Sequence, residues 1–258
     1  SLHDALPIFS IDDQIIKKFI YDAAKKVNPR SQARIISSLR SFFDYLIFEE
    51  YRDTNPTDLI ETPKIGRKLP DTLTENEIND LISAVDLSHP QGERNRTMLE
   101  LMYSCGLRVT ELIKLNISDL FFDEGFIRVL GKGNKERFIP IHFSTQKYIS
   151  NYINYIRNHI RPQKDFEDTL FLNRRGKELT RQMIFIILKE LSIKIDLKKK
   201  ISPHTLRHSF ATHLLKNGAD LKAIQQMLGH ESITTTEVYV HLDKSYLKEV
   251  LETYHPRK

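Results

Sequence analysis

At 258 residues, with 40% hydrophobic and 28% charged side chains, the chain has the make-up of a globular protein with room for two modest cores, which excludes wholesale disorder. Its single cysteine, Cys105, excludes an internal disulfide and fits a reducing compartment; no run approaches the roughly 18 apolar residues of a membrane span and no secretory pattern opens the chain, so a cytoplasmic location without a membrane partner is expected. The net charge is only +5, yet a pI near 9.1 leans toward a polyanionic partner.

Residues 11–27 and 29–49 read as amphipathic helices. The second opens on Asn28 and Pro29 and sets Ile36, Leu39, Phe43 and Leu46 or Ile47 at helical spacing, with Arg30, Arg34, Ser37 and Ser41 on its other side. Between Asp22 and Asp44 there is no acidic residue, while Lys25, Lys26, Arg30, Arg34 and Arg40 all occur. That window fits either phosphate contact or a solvated helix face. Residues 55–71 hold three prolines and little periodicity, a linker composition. The expected division is a first domain at 1–64, a linker at 65–71 and a second domain at 72–258.

A second helical region starts at Leu73, where Thr74 and Glu77 form a capping box, and Gly106 ends a later helix. Cys105, within LELMYSCGLR, reads as a core thiol. From Asp119 to Ile141 the pattern changes to two or three short strands joined by glycine-bearing turns, with Lys132 at the tip of one. The GKG there lacks the spacing of a phosphate-binding P-loop. Helical patterns resume at 144–160, 180–193, 203–217, 220–228 and 233–252. The expected fold class is mainly α with a small antiparallel β-sheet, in two domains.

The helix at 203–217 carries the densest chemistry. Ser202 is its cap, Pro203 its first residue, and Gly218 follows its end. His204 and Arg207, three apart, share a face with His208 beside them, while Leu206, Phe210 and Leu214 form the buried stripe. Backbone N–H groups of a first turn favour an anion. His204 and His208 also have the spacing of a metal pair, but Thr205, Leu206 and Arg207 between them supply no glutamate base and place a cation beside the ion, so no metal is expected. His208 and His213 read as structural. Arg108 follows Gly106 in a turn, and Glu111 is placed to hold its guanidinium, either as a structural pair or as part of a phosphate clamp. His230 sits at a turn after Gly229. Tyr239 is one of 10 tyrosines, set among β-branched residues that weaken helicity, a setting that suits a nucleophile that moves into line.

Arg108, Lys132, His204, Arg207, His230 and Tyr239 occur in that order in the contexts GLRVTEL, GKGNKER, HTLRH, LGH and a terminal tyrosine segment. This constellation resembles the tyrosine recombinases, the phage integrase family, and within it the bacterial Xer proteins; the similarity runs from about residue 11 to the closing YHPRK. The resemblance implies that Tyr239 attacks a DNA phosphate to give a 3′-phosphotyrosyl bond. Arg108 and Arg207 would neutralise nonbridging oxygens, Lys132 would protonate the leaving oxygen, His204 would act as general acid or base and His230 would hydrogen-bond the phosphate. No cofactor is implied. The implied partners are double-stranded DNA with a specific recombination site, a homo- or heterotetramer with a related recombinase, and a septal DNA translocase as activator.

By the same resemblance the first domain is a SAM-like core-binding domain whose Lys25, Arg30, Arg34 and Arg40 meet DNA. Lys135, Arg174, Arg175, Thr180 and Arg181 are the corresponding candidates in the second, catalytic domain. The opening SLHDALPIF matches nothing expected of the family, so the first domain is expected to lack the family's first helix. The closing DKSYLKEVLETYHPRK is expected to dock on a neighbouring protomer. Dimer resolution of chromosomes or plasmids and integration of a mobile element both remain open as roles, with a non-catalytic DNA-binding fragment and a type IB topoisomerase-like enzyme as readings of other classes.

Overall fold

A computed structural model of the chain describes residues 10–63, 72–131, 133, 135–229 and 244–257. The chain divides into two compact units, Ser1–Leu69 and Pro70–Lys258.

In the first unit, helices α1 (Asp13–Ala24) and α2 (Pro29–Phe48) pack together. Asp12 and Asn28 cap them by accepting from the backbone N–H of Ile15 and Ser31 at 2.8 and 2.9 Å. Ile16 and Ile20 of α1 meet Ile36, Phe43 and Leu46 of α2, with Leu39 and Ile60 against them. Of the two residues competing for the end of the α2 stripe, Leu46 is buried and Ile47 is not.

The linker composition begins too early at 55, because residues 55–60 fold back onto α2. Asn55 and Thr57 are buried. The Asn55 amide donates to Asp44 at 2.7 Å, its oxygen accepts from the Thr57 N–H and hydroxyl, and Arg40 donates to the carbonyls of Thr57 and Ile60. Polar residues that read as loop on a short view are here the partners that satisfy a buried turn. The expected linker, residues 65–71, lies outside the described residues.

The second unit is built around α4 (Gly92–Cys105), whose Met98, Leu99, Leu101, Met102, Tyr103 and Cys105 are buried on all sides, the signature of a central helix. Against it pack α6 (Phe143–Tyr155) and α8 (Pro203–Lys216), with α3 (Glu75–Ser83), α5 (Val109–Ile113), α7 (Arg181–Lys194) and α9 (Leu221–Leu228) completing the helical shell. The predicted capping box of Thr74 with Glu77 forms, and Ser202, predicted as an N-cap, goes further and forms a capping box with Thr205. The stripe Leu206, Phe210 and Leu214 is fully buried. A three-stranded antiparallel sheet, β1 (Leu120–Phe121), β2 (Phe126–Leu130) and β3 (Glu136–Pro140), pairs Ile127 with Ile139 and Val129 with Arg137.

The helix expected at 144–160 ends at Tyr155 and continues as a 3-10 turn at Arg157–His159. Buried Arg157 donates to the carbonyls of Thr169 and Glu167, anchoring the chain where the helix would otherwise have continued. The last helix, α10 (Lys244–Tyr254), packs within its own chain against β3, α8 and α9 through Leu247, Val250 and Leu251. Beyond it His255 stacks near Tyr103 and Phe210, and Arg257 pairs with buried Glu100 at 3.1 Å. Residues 244–257 of the tail expected to dock on a neighbour thus pack, in this single chain, against a surface of the same unit. Among the described residues no helix is long and apolar enough to cross a membrane.

Asn55→Ala is expected to lower unfolding stability by about 1 to 3 kcal/mol, since Asp44 and buried Thr57 lose their partner; chemical denaturation of the full chain measures this, and a true linker residue would be silent.

Candidate active site

Gly106 ends α4 with φ +59, and a Cβ there would fall 2.5 Å from the Phe210 ring, so only glycine allows α4 to turn against α8 at this point. The turn delivers Arg108 to the N-cap of α5 and Glu111 to its first turn. Glu111 accepts from the Arg108 backbone N–H at 2.8 Å and from its Nη1 at 2.7 Å. The predicted pairing of Arg108 with Glu111 is therefore present.

Glu111 is only 4% exposed, and Arg108 is one of several guanidiniums around it. Arg137 of β3 donates from Nη1 and Nη2 to its two oxygens at 2.8 and 2.9 Å, and Nη1 of Arg207 lies 3.9 Å away. Burial alone would raise the Glu111 carboxyl, but hydrogen bonds and charge from Arg137, then Arg108, hold it below the ordinary range. Burial, then the neighbouring Arg108, pushes Arg207 down to about 9, which leaves it charged at neutral pH. Three cations against one anion leave a net positive cluster.

The same arginines receive the end of α9. Arg137 Nε donates to the Met227 carbonyl at 2.8 Å, Arg207 Nη2 to that of Leu228, and Arg108 Nη2 to that of Gly229 at 3.1 Å. Arg207 Nη1 also donates to the Gly106 carbonyl at 2.7 Å. The final carbonyls of a helix lack intrahelical partners and carry partial negative charge, so guanidiniums are their natural caps. Gly229, with φ +64, ends α9 as the sequence pattern anticipates.

Arg108 is the most accessible of the three, with 31% of its side chain exposed against 13% for Arg137 and 9% for Arg207. Only the head of Arg108 thus combines anchorage with open access to a ligand. His204 and His208 lie exposed on α8, whereas Arg207 turns inward. His208 is accordingly a surface residue and not a structural one. Buried His213 fits the structural reading, its Nδ1 sharing a 2.8 Å hydrogen bond with the Tyr103 hydroxyl. Lys132, His230 and Tyr239 lie outside the described residues.

Among the expected DNA contacts, Lys25, Arg30, Arg34, Lys135, Arg174, Arg175, Thr180 and Arg181 are exposed. Lys25 pairs with Asp22 at 3.3 Å. Arg40 takes a structural part that the sequence did not announce, its Nη2 donating to the Thr57 and Ile60 carbonyls and holding the turn against α2. Thr180 caps α7 by accepting from the Met183 N–H at 3.2 Å. Arg137 is the site residue that sequence reasoning missed. Strand alternation was the available signal, since Arg137 shares its face with buried Ile139.

The phage integrase family profile matches residues 71–245. Tyrosine recombinase XerD of Staphylococcus epidermidis is 46% identical over 250 residues, 96% of this chain and 84% of that protein. XerD of Staphylococcus aureus is 44% identical over 256 residues, 99% of this chain and 86% of that protein. Among solved structures, XerA recombinase matches with a TM-score of 0.58 at 31% identity, covering 100% of this chain and 88% of that one. XerH recombinase bound to its difH substrate in a post-cleavage complex matches with a TM-score of 0.74 at 25% identity, over 94% of this chain and 70% of that one. The chain belongs to the phage integrase family. Within that family it is a site-specific tyrosine recombinase of the Xer type.

Glu111→Gln is expected to cost about 3 to 5 kcal/mol, as for breaking one partner out of a buried ion cluster. Because the folded carboxyl lies below its ordinary value of 4.5, the stability it contributes is present above pH 4.5 and is lost as pH falls through the folded value. Denaturant midpoints of wild type and variant should therefore converge on the acid side.

Proposed function

We propose that the chain cuts and rejoins DNA through a 3′-phosphotyrosyl intermediate, serving to resolve dimers of chromosomes or plasmids in the cytoplasm. The observation that supports this most is the Arg108–Glu111–Arg207 cluster, a preorganised positive group anchored on a buried carboxylate in a chain of the Xer type.

In this reading the Tyr239 hydroxyl oxygen attacks the scissile phosphorus and the bond from phosphorus to the 5′ oxygen breaks. Lys132 supplies the proton that leaves with the 5′-hydroxyl. Arg108 meets a nonbridging oxygen directly, and Arg207 adds its charge from just behind, where low dielectric strengthens its field. His204, exposed one turn before Arg207, serves as the general base that takes the Tyr239 hydroxyl proton in cleavage and as the general acid that returns it in rejoining, and His230 hydrogen-bonds the phosphate. The phosphotyrosyl ester conserves the energy of the broken bond, so the 5′-hydroxyl of a second strand reverses the reaction without a nucleotide cofactor or a metal.

The first unit acts as a SAM-like core-binding domain, with Lys25, Arg30 and Arg34 toward the DNA backbone. Lys135, Arg174, Arg175, Thr180 and Arg181 serve the catalytic domain in the same way. Recombination proceeds in a tetramer, either of this chain or with a related recombinase, and a septal DNA translocase acts as its activator.

On a nicked suicide substrate bearing a dimer-resolution site, wild type should give a covalent protein–DNA band on a denaturing gel and Tyr239→Phe should give none while still binding. A band from Tyr239→Phe would assign the nucleophile elsewhere. Binding should also weaken with salt, and Arg34→Ala should reduce the slope of log affinity against log salt by about 1; an unchanged slope in titrations by fluorescence anisotropy would remove Arg34 from the DNA surface.

A further inference from the structure

Arg137 occupies a singular place in the second unit. It lies on β3, on the strand face shared with core residue Ile139, at the end of the strand nearest the β2–β3 turn. A side chain at this position would ordinarily be apolar, as Val129 opposite it is. Instead its planar fork holds both oxygens of Glu111, and its Nε holds the Met227 carbonyl at the end of α9. Each of its nitrogens is committed to protein, and the side chain is 13% exposed. It therefore has little left to offer a ligand.

Its neighbours give it a second significance. A Cβ built on Gly229 would stand 3.1 Å from the Arg137 Cδ, and one on Gly131 would stand 3.5 Å from its Nη1. Gly229 immediately precedes His230, and Gly131 immediately precedes Lys132. Arg137 thus touches the carboxylate that orients Arg108 and lies against Gly131 and Gly229, the residues that precede Lys132 and His230 in sequence. Lysine could satisfy one of these contacts but not the bidentate pair and the carbonyl together.

We propose that Arg137 is a positioning residue for DNA cleavage, locking Glu111, the end of α9 and the start of the hairpin turn into one arrangement so that Arg108 and its partners meet the phosphate in register. The proposal rests on the recombinase reading above. It differs from a purely structural role because what it sets is the geometry of the reacting groups, to which rate is far more sensitive than binding. A misplacement of about 1 Å can cost on the order of 100-fold in rate.

The test uses the full chain with Arg137→Lys and Arg137→Met, on a nicked suicide duplex bearing a dimer-resolution site. Single-turnover rates of covalent attachment are measured at saturating protein, beside DNA affinity and thermal midpoint. Both variants are expected to lose about 100-fold in the saturating rate while affinity stays within about threefold of wild type. Arg137→Lys is expected to recover more of the thermal midpoint than of the rate. A saturating rate within about threefold of wild type in either variant would overturn the proposal, as would full recovery of the rate at a lower temperature where the variant is completely folded. If wild type itself formed no adduct while binding the duplex, the recombinase reading would fall and the proposal with it. An adduct in wild type that the variants form equally fast would sink the proposal alone.

Discussion

The second unit depends on one buried carboxylate. Glu111 lies in an environment that by itself would expel a charge, and it stays ionised because Arg137 and Arg108 donate directly to it and Arg207 stands nearby. The reverse dependence is as strong. Without that anion three guanidiniums would converge in a poorly solvated space, and the low pKa of Arg207 already records how far burial and like charge oppose it. The arginines come from the cap of α5, from β3 and from α8, so a single ionic cluster decides how these elements meet.

The end of α9 extends the cluster. Its carbonyls at Met227, Leu228 and Gly229 each accept from a different arginine, which converts a helix terminus into a fixed part of the site. Gly106 and Gly229 make this approach feasible, since both need positive φ and both sit where a Cβ would press on a neighbour. The result is a field assembled before any substrate arrives. For a reaction that accumulates charge on nonbridging oxygens, such preorganisation is the largest contribution a protein can make.

Elsewhere the unit is closed by its own C-terminal segment. Burial pushes His255 down to about 3, so its ring is neutral against Tyr103 and Phe210, and Arg257 balances Glu100 beside it. This cis packing places α10 against β3 and α9, two of the elements that the arginine cluster joins. Tail and cluster therefore share a mechanical neighbourhood.

What could be read from residues alone was whatever local chemistry decides. Asn28 with Pro29, Thr74 with Glu77, and Ser202 with Pro203 announced helix starts because capping involves neighbours within a turn, and the stripe of Leu206, Phe210 and Leu214 announced a buried face because helical periodicity does not depend on what covers it. The pair of Arg108 and Glu111 was legible for the same reason, being three residues apart. Folding of residues 55–60 onto α2, the end of α6 at Tyr155, the inward turn of Arg40 and the whole role of Arg137 were not legible. Each rests on partners distant in sequence: Arg40 on Thr57 and Ile60, Arg157 on Thr169, Arg137 on Glu111 and Met227. An arginine has the same composition whether its head meets water, DNA or a buried carbonyl, and only the tertiary structure, by bringing the acceptor to it, decides which.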